Sequence, residues 1–379
     1  MIRQPFRTVS AFMVVVIAAT ACSQAHPSPN ERTAPPFDRI RTQVAMRFET
    51  LQTPGALFAI YRGAEREPAL YMPLGFADEA HTRPIRRDDH FRIASVTKLF
   101  VGHVILQLAD ESRIDLDAPV SRYLPGVVPN GENITIAMLG NHTSGLPRVI
   151  ANPEYQKAIQ ANPSHQWTHA ETLAYAWKMD TLFPPGARWM YANTNTILLG
   201  EVIQAVTGKP WHVVVDERII RPLQLTQTGY PVNSQVPAPT PRGYRFGQRD
   251  NLVRYGDFWF DATDWSGSCW GAAGDMYSTL DDLAKFTRAA ARGELVGPAG
   301  RKALFRWLDT GYGLDYGFHI ARRDGVVGST GDVPGFSTFA GYLPEQDLTI
   351  ICLANLTATP QKLTAAAELG ELAAEMIRR

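Results

Sequence analysis

Residues 95–108 read Ser-Val-Thr-Lys-Leu-Phe-Val-Gly-His-Val-Ile-Leu-Gln-Leu. From Val96 to Leu108 the run is strongly apolar and free of breakers, which predicts a buried helix beginning at about Ser95. Positions i and i+3 share a helix face, so the Lys98 amine falls beside the Ser95 hydroxyl. A serine hydroxyl is a poor nucleophile at neutral pH, but an amine held partly neutral by burial can take its proton. The helix N-terminus favours the anion that develops. Alone, Ser-x-x-Lys arises roughly once by chance in a chain of this size, and its plain reading is a capping serine before a solvated lysine. Leu99-Phe100-Val101, directly after Lys98, is not an exposed face.

Around this helix, strands are expected at both ends of the chain. Apolar spacing at Ile40, Val44, Ala45 and Phe48 predicts a first helix over 38–51, followed by strands over 55–61 and 68–76. Strands return at 312–322, 336–343 and 348–353, before a last helix over 361–378. Between them lie mainly helices and loops: helices over 169–179, over 194–207 closed by Gly208, and over 280–291 with Ser278 or Thr279 as N-cap. The economical architecture is α/β (α+β): an antiparallel sheet from both chain ends, flanked by the first and last helices, with a mostly helical insertion. That divides the chain into residues 37–104 plus 270–379 for the sheet domain and 105–269 for the inserted domain. Residues 231–264, rich in Pro, Gly and aromatics, read as a long irregular loop.

The amino terminus reads as an address. Arg3 and Arg7 precede the apolar run Ala11–Ala19, which is too short to span a bilayer at about 20 residues. Ala19-Thr20-Ala21-Cys22 then offers a peptidase either an ordinary signal cut or a lipoprotein cut that leaves Cys22 acylated. Residues 1–21 are therefore expected to be a signal peptide and 22–36 a flexible tether, with the protein exported to the periplasm, released there by the ordinary cut or anchored through Cys22 by the lipoprotein cut. The 379 residues carry 37 basic and 37 acidic side chains. Balanced charge without a basic run excludes a nucleic-acid footprint and a polybasic membrane patch, and 45% hydrophobic residues exclude global disorder. Three cysteines argue against a disulfide scaffold; with Cys22 acylated only Cys269 and Cys352 remain to pair, and Cys352 reads as a buried free thiol in its apolar run.

Two further patterns complete a site. Tyr191-Ala192-Asn193 follows a Pro-Pro-Gly turn at 184–186 and precedes an apolar helix, a loop position suited to catalytic groups. Ser329-Thr330-Gly331-Asp332 lies at a sheet edge before Pro334-Gly335-Phe336. Singly, each has a bland reading, a core tyrosine with a capping asparagine and a hairpin turn.

Taken in this order, the three patterns resemble the serine penicillin-recognising hydrolases: class C β-lactamases, DD-peptidases, D-aminopeptidases and related esterases. The resemblance runs over roughly residues 37–379 and includes Asn141-His142-Thr143-Ser144-Gly145-Leu146-Pro147 and Gly271-Ala272-Ala273-Gly274-Asp275-Met276-Tyr277-Ser278-Thr279. It implies Ser95 as the acylated nucleophile, Lys98 as its activating amine and Tyr191 as proton relay to the leaving group. Asn193 would bond the acyl side chain of the substrate, and Ser329, Thr330 and Gly331 would wall the site. The backbone N–H groups of Ser95 and Asp332 would form the oxyanion hole, worth about 3–4 kcal/mol per donor in other enzymes. No metal and no organic cofactor are implied. The resemblance implies a small-molecule or peptide substrate of the kind the cell wall supplies, and no protein partner. Family members usually carry Lys or His where Ser329 stands, and a neutral hydroxyl cannot hold a substrate carboxylate by charge. The expected activity is hydrolysis of amide or ester bonds, D-Ala-D-Ala carboxypeptidase-like or esterase-like, with weak action on β-lactams. A non-catalytic peptidoglycan- or ligand-binding protein and an acyltransferase or transpeptidase are the alternatives. His165 and His169 are four apart but lack the glutamate of His-Glu-x-x-His, so they are not read as metal ligands. His142 is read as structural, and Trp265, Trp270, Tyr244 and Tyr255 either line a pocket or pack the loop.

Overall fold

The computed structural model describes residues 37–379, apart from 232, 234, 249–253, 360 and 362 and the side chains of 246–248 and 254–259. The expected signal peptide, tether and Cys22 lie outside the described residues. The main elements are α1 (Phe37–Leu51), β1 (Gly55–Arg62), β2 (Leu70–Gly75), α2 (Thr97–Asp110) and α3 (Asn193–Thr207). A hairpin follows, β3 (Tyr244–Gln248) and β4 (Arg254–Asp261), then α4 (Leu280–Ala291), β5 (Val326–Val333), β6 (Phe336–Leu343), β7 (Leu348–Ala354) and α5 (Ala365–Arg378).

An antiparallel sheet runs β2–β1–β7–β6–β5 and continues into short strands at Ala321–Arg323, Asp315–Tyr316 and Leu308–Asp309. Ala59 pairs with Ile351, Ile351 with Ala340, and Ala340 with Ser329, which ties the first strand to the strand of the third motif. The central strands are buried throughout because both faces are covered. Alternation sends Phe58, Ile60, Ile350 and Cys352 towards Ile40 and Val44 of α1 and Leu369 and Ala373 of α5. Leu57, Ala59, Ile351 and Leu353 pack on the opposite side with α2, α3 and α4. α2 is buried almost all round, including Thr97 and Lys98, and so is held by packing rather than by an amphipathic stripe. Gly208, left-handed at φ +74°, closes α3 as expected from its sequence.

Three expectations are corrected. α2 begins at Thr97, and Ser95 sits instead in the tight turn Ala94–Val96, entered through Ala94 at φ +50°. The strand expected over 312–322 is broken where Gly313 and His319 take positive φ, leaving only the two short strands Asp315–Tyr316 and Ala321–Arg323. The irregular loop expected over 231–264 contains the β3–β4 hairpin, with Tyr244 opposite Asp261. Tyr, Phe and Trp favour strands, a preference masked in sequence by the Pro and Gly residues just upstream.

Candidate active site

Ser95 stands where the Ala94–Val96 turn enters α2, and Lys98 is fully buried one turn on. Lys98 Nζ lies 3.1 Å from Ser95 Oγ and donates to the backbone carbonyl of Ala273 at 2.5 Å. Desolvation pulls the amine down to about 7, with only the field of Asp332 opposing it. Near neutral pH the amine is thus free in about half the molecules. Tyr191 donates its hydroxyl to the same Ser95 Oγ at 2.8 Å, and Lys98 Nζ sits 4.9 Å from its ring centre. Burial pushes the Tyr191 phenol upward, against the pull of its bond to Ser95. Tyr191 therefore stays protonated and can give a proton, which leaves Lys98 as the group able to take one.

The segment that carries Tyr191 is clamped by the Asn141–Pro147 stretch. His142, left-handed at φ +62°, packs its ring at 45° to that of Tyr191 with centres 4.6 Å apart, and accepts the Asn195 amide at Nδ1, 2.9 Å away. Ser144 donates to Asn195 Oδ1 at 2.6 Å, and Met190 N–H to the His142 carbonyl at 2.9 Å. Burial holds His142 well below its usual range, so it is neutral, with its proton on Nε2. Asn193 opens α3, and its buried Oδ1 has no hydrogen-bond partner among the described residues. A buried acceptor in that state is set to receive a donor from a ligand.

The third motif lies on β5. A Cβ at Gly331 would come within 2.7 Å of Ser95 N, 2.8 Å of the Ile93 carbonyl and 2.9 Å of Ala94 Cβ. Only glycine lets β5 press against the Ser95 turn at this point. The two N–H groups expected to form the oxyanion hole thus sit on segments in van der Waals contact. Thr330 and Asp332 alternate onto the open face, whereas Ser329 is half-buried and donates to the Thr330 carbonyl at 3.1 Å. Asp332 opens to water yet is hemmed in by protein: desolvation raises its carboxyl above the usual range, while Lys98 and Arg245 oppose the shift.

The loop that offers the Ala273 carbonyl to Lys98 is braced from two sides. Buried Arg92 pairs with buried Asp275 at 2.9 Å and reaches the Trp265 carbonyl at 3.3 Å. Ala272 N–H bonds His169 Nε2 at 3.3 Å, and Glu201 holds the other ring nitrogen at 2.5 Å. His165 instead meets Glu171 at 3.3 Å, so the two histidines serve different partners. No group of three metal-ligating side chains occurs among the described residues.

Beside Asp332 lies a cavity of 210 Å³, bordered by Ile150, Arg245, Trp265, Trp270 and Pro334. Tyr244 packs elsewhere: it is buried, and its hydroxyl takes the Glu79 N–H at 2.9 Å. The side chain of Tyr255 lies outside the described residues. Cys269 and Cys352 are both buried and unpaired. Arg92, Asp275, Glu201 and the Ala273 carbonyl were not singled out from sequence. The run of small residues Gly271–Gly274 between Trp270 and Asp275 is the signal from which a close backbone approach could have been read.

Comparison with known proteins agrees with this fold. The family model described as Beta-lactamase matches residues 39–375. The chain is 27% identical over 286 residues to the D-alanyl-D-alanine-carboxypeptidase/endopeptidase AmpH of Escherichia coli, covering 69% of each. It is 33% identical over 166 residues to the esterase EstB of Burkholderia gladioli, covering 41% of this chain and 42% of the esterase. Among solved structures, a D-stereospecific amidohydrolase from Streptomyces superposes with a TM-score of 0.77 at 28% identity, over 88% of this chain and 97% of the other.

Proposed function

Since the chain belongs to the beta-lactamase family of serine hydrolases, we propose that it forms an acyl-enzyme on Ser95 and cleaves amide or ester bonds. The observation that carries this reading is the convergence of a buried, half-neutral Lys98 and a protonated Tyr191 on one serine oxygen.

In this mechanism Ser95 Oγ adds to the substrate carbonyl and its proton passes to Lys98 Nζ. The charge that develops on the carbonyl oxygen is met by the N–H groups of Ser95 and Asp332. Tyr191 gives its proton to the leaving oxygen or nitrogen and recovers one from Lys98, which restores the amine. A water molecule then adds to the acyl-enzyme, losing its proton to the same pair, which passes that proton to Ser95 Oγ as the bond to the acyl carbon breaks and the acid product leaves.

The family setting leaves carboxypeptidase, esterase and amidase chemistry open. Ser329 supplies no positive charge, and Asp332 adds a carboxylate three residues further on, so a substrate carboxylate beside Ser329 finds little attraction. This favours neutral ester and amide leaving groups over penicillins. A panel of a p-nitrophenyl ester, a D-amino acid p-nitroanilide, a D-Ala-D-Ala peptide and benzylpenicillin tests it. Ester or amide turnover that disappears in Ser95→Ala, with slow penicillin turnover that Ser329→Lys accelerates, is the expected pattern. Rapid penicillin turnover by the unaltered protein would overturn the assignment.

The proposal extends to location. The cationic start, the short apolar run and Cys22 support export to the periplasm with a lipid anchor. Labelling with a palmitate analogue that is lost in Cys22→Ser is the expected result, and equal labelling of both forms would refute the anchor.

A further inference from the structure

We propose that Arg245, with the indoles of Trp265 and Trp270, forms an acyl-side subsite for a substrate whose acyl group ends in a carboxylate. The inference rests on the serine hydrolase reading above and names the substrate class that the same site selects.

Arg245 is half-buried on β3 and borders the 210 Å³ cavity beside Asp332. Among the described residues no acceptor takes a hydrogen bond or ion pair from it, although the field of Asp332 reaches it. A guanidinium has five donors in a planar fork that matches a carboxylate. Burying those donors without acceptors is costly, and the desolvation shows in the downward shift of Arg245. A ligand carboxylate would remove that cost.

The position of the cavity decides which part of the substrate enters it. It touches Asp332, Val333 and Pro334 at the far end of β5, but not Ser95, Lys98 or Tyr191. Ser329 lies three residues upstream, about 10 Å along an extended strand. Arg245 therefore does not replace the lysine missing at 329; it adds positive charge at the opposite end. Tyr191 serves the leaving group, so a pocket remote from Tyr191 receives the acyl portion. Its volume equals that of about seven water molecules, room for a short chain lying against the indoles with its carboxylate on Arg245. Asp332 competes for the same guanidinium and sets an upper limit on the attraction.

Binding to Ser95→Ala, which leaves esters intact, separates this inference from the catalytic one. Mono-p-nitrophenyl glutarate and p-nitrophenyl pentanoate differ in the terminal carboxylate and are titrated by calorimetry. Glutarate is expected to bind about tenfold or more tightly, the range of a charge-assisted hydrogen bond. Adding Arg245→Gln should abolish the preference, Arg245→Lys should keep part of it, and Asp332→Asn should enlarge it. If Arg245→Gln does not fold, as read by circular dichroism, Arg245→Lys carries the comparison and must lower the preference. No preference for glutarate, or a preference indifferent to Arg245, would overturn the subsite. Failure of the catalytic reading shows separately, as pentanoate turnover by the unaltered protein that persists in Ser95→Ala or is never seen.

Discussion

Titration of Lys98 makes the sharpest quantitative demand on the mechanism. Burial moves its amine from 10.5 to about 7. At pH 7 about half the molecules then hold a free amine, whereas an unshifted lysine would leave about one in 3,000. Desolvation thus contributes about a thousandfold to the population of active base. The kcat/KM of p-nitrophenyl ester cleavage, measured from pH 5 to 9.5, should rise about tenfold per unit below pH 7 and then level. At pH 5.5 it should stand about thirtyfold under the plateau. No falling limb is expected in this range, because burial keeps the Tyr191 phenol protonated. The same shift has a stability consequence of definite sign. Between pH 7 and 10.5 the folded protein binds one proton fewer than the unfolded chain, so this site lowers stability at neutral pH and lowers it less as pH rises. Lys98→Met should therefore abolish turnover while raising the urea midpoint at pH 7, with the gain shrinking towards pH 10. A profile that is flat from pH 5.5 to 8.5, or one that inflects only near 10, would refute Lys98 as the neutral base.

Three substitutions probe the surrounding structure. Tyr191→Phe should lower kcat by about 10²–10⁴-fold with an unchanged melting temperature; a drop under threefold would remove it as the proton relay. Gly331→Ala pushes a methyl group into Ser95 N and the Ile93 carbonyl, and by disturbing an oxyanion donor should cut kcat about 10²–10³-fold. Full activity in that variant would mean that β5 does not set the oxyanion hole. Arg92→Met strands the buried Asp275 carboxylate, which should cost about 3–5 kcal/mol in urea unfolding. A double change of Arg92→Met with Asp275→Leu should recover part of that loss, and equal losses in the single and double variants would deny the coupling.

Much of the scaffold was legible because burial writes itself into short runs. β1, β6 and β7 are sandwiched on both faces, so their sequences are mostly apolar, with only Ser337, Thr338 and Thr349 as buried polar residues. α2 announced itself the same way, and its buried first turn made Lys98 suspicious as a surface residue. The hairpin of β3 and β4 escaped notice because its aromatic residues sit behind Pro and Gly, which argue for loop. The turn at Ala94 was equally invisible: a positive φ on alanine is imposed by packing and leaves no local signal. Of the site, Ser95, Lys98, Tyr191, Asn193 and the 329–332 segment could be named, since they recur as side chains at fixed spacing. The carbonyl of Ala273 could not, because any residue offers one, and only the fold brings it 175 positions away to Lys98. Arg245 was hidden for the same reason, as its meaning depends on a cavity built from five segments far apart in sequence.

Acylation of Ser95 is the central chemical event, and it is directly measurable. The protein, quenched in acid during turnover of a p-nitrophenyl ester and digested, should yield the peptide containing Ser95 with one added acyl group, and Ser95→Ala should yield none. Turnover that proceeds while Ser95 stays unmodified, or an acyl group found on another residue, would contradict the mechanism.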